Sequence, residues 1–269
     1  MISSLQDRKT DKMIIALVNN KGGVAKTTTA VNLAAGLATR TRRVLLVDLD
    51  SQGSASFSLG VARADLNPSS AEVLLDGVPI RSAIRPTSVE GLDLLTGSMA
   101  LANADLALAD EKGRERRLAT ALAPIRDDYA FILLDCPPSL SLVPINALVA
   151  ADAFLVPVTP QYLALEGLVN LMEATELLRR GTGAPAVLLG LILTQVDRRP
   201  KVTGEVIDLI RGHYGDRVFK TEIPINVRLS EAPSFGLTIF GHDPASSGAD
   251  AYRRLATEVL HRCRKEGKK

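Results

Sequence analysis

The segment from Lys21 to Thr28, with the sequence KGGVAKTT, constrains the fold of this chain more than any other feature. The apolar run 13–18 before it is typical of a buried strand, and residues 27–39 after it place apolar side chains at helical spacing. A strand, a glycine-bearing turn and a helix in this order direct backbone N–H groups and the positive helix N-terminus toward an anion. The segment therefore predicts a phosphate-binding loop.

The loop departs from the common phosphate-loop pattern G-x-x-x-x-G-K-[ST] at both glycine positions, which hold Asn20 and Ala25. Its glycines are Gly22 and Gly23 instead, and an additional lysine, Lys21, precedes Lys26 by five residues. These residues match the deviant pattern K-G-G-x-x-K-[ST]. On this motif the chain resembles the ParA/Soj-type partition ATPases, which belong to the same group of phosphate-loop proteins as MinD.

Two later apolar runs end in aspartate and predict further strands that point at the same site. Residues 43–48 lead to Asp48 and Asp50, which lie on the same face of their strand, and residues 131–135 end in Asp135. Ligands of open parallel sheets bind at the carboxyl ends of strands. The resemblance implies that Asp135 supports Mg²⁺, usually through water, and that Asp50 positions or activates the hydrolytic water.

The resemblance also implies an ATP site whose catalytic residues are Lys21, Lys26 and Asp50. Lys26 reaches the β- and γ-phosphates, and the Thr27 hydroxyl ligates Mg²⁺ together with Asp135. Lys21 is expected to cross to the ATP of a second subunit, so that ATP holds a homodimer together. The full set implied for nucleotide binding is Lys21, Gly22, Gly23, Val24, Ala25, Lys26, Thr27 and Thr28, with Pro224 and Asn226 against the adenine.

Ala25 is a departure from the family, which usually has glycine at this position. If the backbone here needs a positive φ, alanine costs about 1–2 kcal/mol. We therefore expect weaker ATP binding or slower turnover than in a glycine version of the same loop.

The C-terminal third of the chain contains the residues that predict DNA binding. Residues 195–269 hold 14 basic and 10 acidic residues, a net charge of +4, whereas residues 1–194 hold 18 and 20, a net charge of −2. The segment 224–236 closely matches Soj-like proteins and is absent from MinD-type proteins. The resemblance implies that Arg199 and Arg228 bind double-stranded DNA without sequence preference, through its phosphates. It also implies a ParB-like partner that stimulates hydrolysis.

Three other functions stay open at this point. A MinD-like membrane-surface ATPase needs an amphipathic C-terminal helix that enters lipid, whereas we expect Leu255, Val259 and Leu260 to pack on the domain, with no membrane partner. An ATP-dependent synthetase has the same fold, but Lys21 and the segment 224–236 argue against it. A related ATPase that positions protein cargo would look the same in sequence.

The composition and the order of elements predict one α/β domain with an open, mostly parallel sheet and helices on both faces. Cys136 and Cys263 lack metal or disulfide spacing, which together with the nucleotide site favours a cytoplasmic protein, and the resemblance implies association with the nucleoid. We expect residues 1–12 to be a short extension, 13–265 the ATPase domain and 266–269 a basic tail. Strands are predicted near 13–18, 43–48, 91–96, 131–135, 153–158, 187–193 and 218–223, and helices near 26–40, 97–112, 113–128, 141–150, 163–180, 202–213 and 249–265.

Overall fold

The computed structural model describes residues 12–139 and 141–266, whose strands form one eight-stranded sheet in the order β3-β4-β2-β5-β1-β6-β7-β8. Neighbouring strands are parallel except β3 and β4, which pair antiparallel at one edge. The strands are β1 (Met13–Leu17), β2 (Val44–Asp48), β3 (Ile84–Pro86), β4 (Leu92–Leu95), β5 (Phe131–Asp135), β6 (Ala153–Val158), β7 (Val187–Val196) and β8 (Val218–Pro224).

Helices connect the parallel strands, as crossover connections require. In the described residues they are α1 (Lys26–Leu37), α2 (Ser54–Ser58), α3 (Ser70–Leu75), α4 (Ile80–Ala83), α5 (Ala104–Ala107), α6 (Arg117–Leu122), α7 (Leu142–Ala150), α8 (Ala164–Thr182), α9 (Lys201–Tyr214), α10 (Val227–Glu231), α11 (Ile239–His242) and α12 (Ser247–Glu266).

The central strands are apolar throughout because both faces of the sheet are covered. Along β1, Ile14 and Ala16 enter one hydrophobic core and Ile15 and Leu17 enter the other, since successive side chains point to opposite faces. Helices α1 and α12 cover one core, and α6, α7, α8 and α9 cover the other. The predicted fold class is therefore confirmed.

The predicted strands are confirmed to within a few residues, but the edge strand β3 was not predicted. The helix predicted over 113–128 is wrong in its length: only Arg117–Leu122 is α-helical, with a 3₁₀ turn on each side, and Pro124 lies in the second turn. Pro124 lacks the N–H that would continue the α-helix. The helix predicted over 97–112 is limited to a 3₁₀ turn at Met99–Asn103 followed by α5.

The last helix packs its apolar stripe against the sheet, as expected. Leu255 and Val259 of α12 are fully buried and Leu260 is partly buried against the same core. Within residues 12–139 and 141–266, every helix is too short or too polar to cross a membrane. Residues 1–11 and 267–269, most of the predicted extension and basic tail, lie outside the described residues, and the domain boundaries stay a prediction.

Candidate functional site

The loop between β1 and α1 is held in place by two strands that follow much later in the chain. Asn19 Nδ2 donates to the Pro157 carbonyl of β6 at 2.8 Å, and Asn19 Oδ1 accepts from the Lys21 amide at 2.9 Å. On the other side, the buried Thr194 hydroxyl donates to the Val24 carbonyl at 3.0 Å. These bonds fix the backbone of the loop before any anion binds, which lowers the ordering cost of binding.

Lys26 is the buried cation of the loop. Its side chain is only 6% exposed, and Nζ donates to the Lys21 carbonyl at 3.1 Å. Burial lowers the pKa of this ammonium group, while the nearby carboxylates of Asp135 and Asp50 and the Cys136 thiol favour its charged form. A desolvated ammonium group fixed beside backbone N–H donors suits the binding of a phosphate.

Asp135 lies at the end of β5, beside the loop, and is fully buried. Among the described residues, neither of its carboxylate oxygens has a hydrogen-bond partner. Burial and the neighbouring carboxylate of Asp48 raise its pKa well above the usual value, although the Thr27 hydroxyl and Lys26 act in the opposite direction. Unpartnered buried carboxylate oxygens beside a hydroxyl suit a hard divalent cation such as Mg²⁺. Thr27 and Asp135 therefore fit the metal role expected of them.

Asp48 is a structural residue. Its carboxylate accepts bonds from the Ser56 amide at 2.9 Å, the Ser56 hydroxyl at 2.7 Å and the Asp50 amide at 3.2 Å. Burial raises the pKa of Asp48 to about 6 despite these bonds. Asp48 thus anchors the start of the segment that follows β2 and leaves Asp50 as the aspartate that faces the cavity.

Gly97 packs closely against Asp48 and Asp50 and was not predicted from the sequence as a site residue. Its amide donates to the Ser56 hydroxyl at 3.0 Å, and a Cβ atom here would lie 2.6 Å from the Asp50 carbonyl oxygen and 2.8 Å from Asp48 Cγ. Any side chain would therefore displace the Asp50 backbone or the Asp48 carboxylate. The one signal in the sequence was a glycine directly after the predicted strand 91–96.

Asp50 meets the phosphate loop across a cavity of about 440 Å³. Its Oδ1 atom accepts from the Gln52 amide at 3.0 Å, so the side chain also caps a turn. The structure thus brings one predicted catalytic aspartate and most of the loop to a single cavity. The lining residues are Gly22, Gly23, Ala25, Lys26, Thr27, Thr28, Asp50, Ser54, Phe57, Ser58, Pro138 and Pro233.

A second cavity of about 560 Å³ adjoins the first, and Ala25 and Thr28 line both. Pro224 and Asn226, the residues expected to contact adenine, line this second cavity. We refer to it as the base cavity. The Asn226 side chain also caps α10, because its Oδ1 accepts from the Arg228 amide at 2.9 Å. Its Nδ2 donates to the hydroxyl of Ser247, the first residue of α12, at 2.8 Å.

Lys21 is exposed and extends away from the phosphate end of its own site. Its Nζ atom donates to Gln161 Oε1 at 2.5 Å, and Gln161 lines the base cavity. The structure therefore separates the two lysines of the motif, with Lys26 buried under the loop and Lys21 on the surface. This separation leaves Lys21 available to a second molecule.

The backbone of Ala25 has φ 59° and ψ 35°, so this position does have the positive φ that would make alanine unfavourable. A left-handed conformation is unfavourable for alanine by about 1–2 kcal/mol and suits glycine. The weaker ATP binding expected from Ala25 stays a prediction.

We expect Ala25→Gly to raise the free energy of unfolding by about 0.5–1 kcal/mol, because relief of the strain exceeds the added chain entropy of glycine. Urea unfolding measures the change. ATP titration of the same variant measures affinity, which should rise. A lower free energy of unfolding would contradict the strain argument, and an unchanged or weaker affinity would contradict its effect on ATP binding.

The arginines expected to bind DNA are exposed but paired within the chain. Arg199, whose side chain is 87% exposed, binds both oxygens of Asp197 at 2.7 and 2.8 Å. Arg228 pairs with Glu231 at 2.8 Å and with Asp243 at 3.4 Å. The neighbouring Arg198 and Lys201 also pair, with Glu222 and Glu205. Exposed ion pairs contribute about 0–1 kcal/mol, so DNA phosphates can compete with these carboxylates.

Comparison with known proteins gives close relatives over nearly the whole chain. The family described as "AAA domain" matches residues 12–184. Soj of Thermus thermophilus, a chromosome-partitioning ATPase, is 49% identical over 92% of this chain and 95% of its own length. The sporulation initiation inhibitor protein Soj of Bacillus subtilis is 44% identical over 91% of this chain and 97% of its own length.

Solved structures show the same architecture, and one of them holds ADP and magnesium. Cobyrinic acid a,c-diamide synthase from Mycobacterium smegmatis with bound ADP and magnesium is 35% identical, with a TM-score of 0.80 over 93% of this chain and 94% of that chain. The cell division ATPase MinD of Pyrococcus furiosus is 26% identical, with a TM-score of 0.74 over 93% and 99%. From the phosphate-loop geometry and these relatives, the chain belongs to the Soj/ParA family of chromosome-partitioning ATPases.

Proposed function

We propose that this protein is a DNA-partition switch that binds ATP and Mg²⁺, pairs into a homodimer and coats DNA without sequence preference. Hydrolysis then releases it. The observation that carries the proposal is that the two lysines of the loop differ in exposure, since Lys26 is buried and Lys21 is exposed. The common phosphate-loop pattern requires the first lysine and leaves the position of the second open to any residue.

The phosphate end of the site would hold ATP through Lys26 and the loop amides. Thr27 and Asp135 would hold Mg²⁺, which neutralises charge on the phosphates when bound. Support comes from the burial of Lys26, from the unpartnered oxygens of Asp135 and from the ADP and magnesium in a similar structure. The adenine would occupy the base cavity beside Pro224 and Asn226.

Dimerisation would use Lys21. Within the described part of one subunit, its ammonium group donates to the neutral Gln161 amide, and that bond is exchanged easily for a charge-assisted bond to a γ-phosphate. Two subunits facing each other would then share two ATP molecules. The γ-phosphate is thus the group that biases the equilibrium between monomer and dimer.

Turnover would be slow and would act as a timer. Asp50 at the cavity edge would orient or deprotonate the attacking water, since phosphoryl transfer depends mainly on positioning and charge. A ParB-like partner would accelerate the step with a basic N-terminal peptide. The protein would accordingly be cytoplasmic and associated with the nucleoid.

We expect the double variant Arg199→Ala, Arg228→Ala to lose DNA affinity for all sequences alike while it keeps ATP affinity. The slope of log affinity against log salt should fall by about one unit for each DNA phosphate that the variant no longer neutralises. Fluorescence anisotropy with two unrelated duplexes at several salt concentrations measures both quantities. Arg179→Ala, which removes an arginine paired with Glu176 on α8, is the matched control. Equal DNA affinity in the double variant would reject the assignment.

The test of the proposed function is DNA binding measured with ATP, with ADP and without nucleotide, beside co-sedimentation with anionic vesicles. The proposal predicts that the protein binds DNA when ATP is present, but not with ADP or without nucleotide, and that it does not bind vesicles. The membrane-surface alternative predicts the reverse, but the burial of Leu255 and Val259 leaves α12 without the apolar face that lipid needs. Binding to neither surface would favour a protein cargo.

A further inference from the structure

Gln195, at the end of β7, has a left-handed backbone with φ 51°. In the part of the chain that the structure describes, Ala25 and Gln195 are the two non-glycine residues with positive φ, and both line the base cavity. This conformation is unfavourable for a residue with a Cβ atom. Strained residues persist where the surrounding structure imposes them, and they cluster at functional sites.

The neighbours of Gln195 impose its conformation. Thr194 is buried and bonds to the phosphate loop at Val24, whereas Val196 accepts a bond from the Ile225 amide at 3.2 Å. The pairing of β7 with β8 shifts register between Leu193 and Val196, as in a β-bulge. Bulges re-aim side chains beside active sites. The same irregularity that strains the backbone of Gln195 therefore places its side-chain amide at the rim of the base cavity.

The side-chain amide of Gln195 lies where it can bind a ligand in this cavity. The cavity has three amide side chains, and both ends of the Asn226 amide are engaged: Oδ1 caps α10, and Nδ2 donates to the Ser247 hydroxyl at the start of α12. The Gln161 oxygen is taken by Lys21. At Gln195, the Thr159 hydroxyl donates to Oε1 at 3.2 Å, and within the described residues the Nε2 group makes no hydrogen bond.

We propose that Gln195 is the residue that selects adenine over purines with an oxygen at position 6. A glutamine amide offers an acceptor beside a donor, which complements the 6-amino group and N7 of adenine. A 6-oxo purine presents acceptors at both of these positions, so one glutamine amide cannot satisfy both in either orientation. This inference rests on the proposed function, because it requires the purine in the base cavity.

The test compares ADP and IDP, two diphosphates that differ in the group at position 6 and are not hydrolysed at a γ-phosphate. Isothermal titration of the wild type should give about tenfold tighter binding of ADP, the discrimination expected of one good amide–base pair. In Gln195→Ala the ratio should fall to about one, mainly through weaker ADP binding. Gln161→Ala is the matched control, since it removes another amide from the same cavity, and it should keep the wild-type ratio.

Thermal unfolding without nucleotide separates selection from a structural role. Gln195→Gly should be more stable than Gln195→Ala, because glycine accepts the left-handed backbone, yet both should lose selectivity equally. A wild-type ratio near one, or an unchanged ratio in Gln195→Ala, would overturn the inference and leave the proposed function standing. If the wild type bound neither nucleotide, the proposed function would fail first and the inference with it.

Discussion

Replacing Lys26 with alanine should reduce ATP affinity by about a hundredfold or more, because loss of a buried charged partner costs about 3 kcal/mol. Lys26 is desolvated and fixed under the loop, so a mobile surface cation cannot take its place. A variant that cannot hold ATP should remain a monomer and should not bind DNA at any nucleotide concentration that saturates the wild type. Titration with a fluorescent ATP analogue measures the loss.

Lys21→Ala is the matched control for this prediction, since it removes the other lysine of the same loop. Lys21 is exposed and bonds to Gln161, so its loss should leave ATP affinity within a few-fold of the wild type. If the two variants lost ATP affinity equally, the assignment of one buried and one shared lysine would be wrong. Circular dichroism of Lys26→Ala shows whether the variant folds.

Asp50→Ala should lower the rate of ATP hydrolysis by about a hundredfold or more, the usual contribution of a positioned acid–base group. Because the residues assigned to phosphate and metal stay intact, the variant should still bind ATP. It should therefore accumulate as an ATP-bound dimer on DNA. Phosphate release measures the rate, and retention on immobilised DNA after removal of free ATP measures the trapping.

Asp50 also caps a turn through the Gln52 amide, and Asp50→Asn separates this role from the chemistry. Asparagine can accept the same bond but cannot take a proton or carry the charge. We expect Asp50→Asn to hydrolyse ATP as slowly as Asp50→Ala while unfolding at the wild-type temperature. Normal hydrolysis by either variant would require another residue to handle the water.

The core of the site could be predicted from sequence because its parts are local. A phosphate loop is contiguous, so residues 21–28 carry its pattern, its cations and its hydroxyl together. Asp50 and Asp135 were found because each follows an apolar run, and parallel strands bring their carboxyl ends together. In the structure Asp48 and Asp135 are partners in the pairing of β2 with β5. The same logic placed the strands of the central sheet.

Interactions between distant segments could not be predicted in this way. The sequence places Asp48 on the same strand face as Asp50, but no local pattern shows that Ser56 and Gly97 surround the Asp48 carboxylate. The strained backbone of Gln195 lies between two residues that bond to distant segments. Thr194 donates to Val24 and Val196 accepts from Ile225, and no local sequence pattern encodes these bonds. Ion pairs could not be predicted for the same reason. The net charge of the C-terminal third follows from the sequence, but only the fold shows that Arg198 pairs with Glu222.

The account depends most on the sharing of Lys21 between two subunits, and sedimentation measured with a non-hydrolysable ATP analogue tests it most directly. We predict that the wild type sediments as a dimer with the analogue and as a monomer with ADP. Lys21→Ala, saturated with the same analogue, should remain a monomer. A wild type that stays monomeric when saturated, or a Lys21→Ala variant that dimerises as readily, would contradict the account.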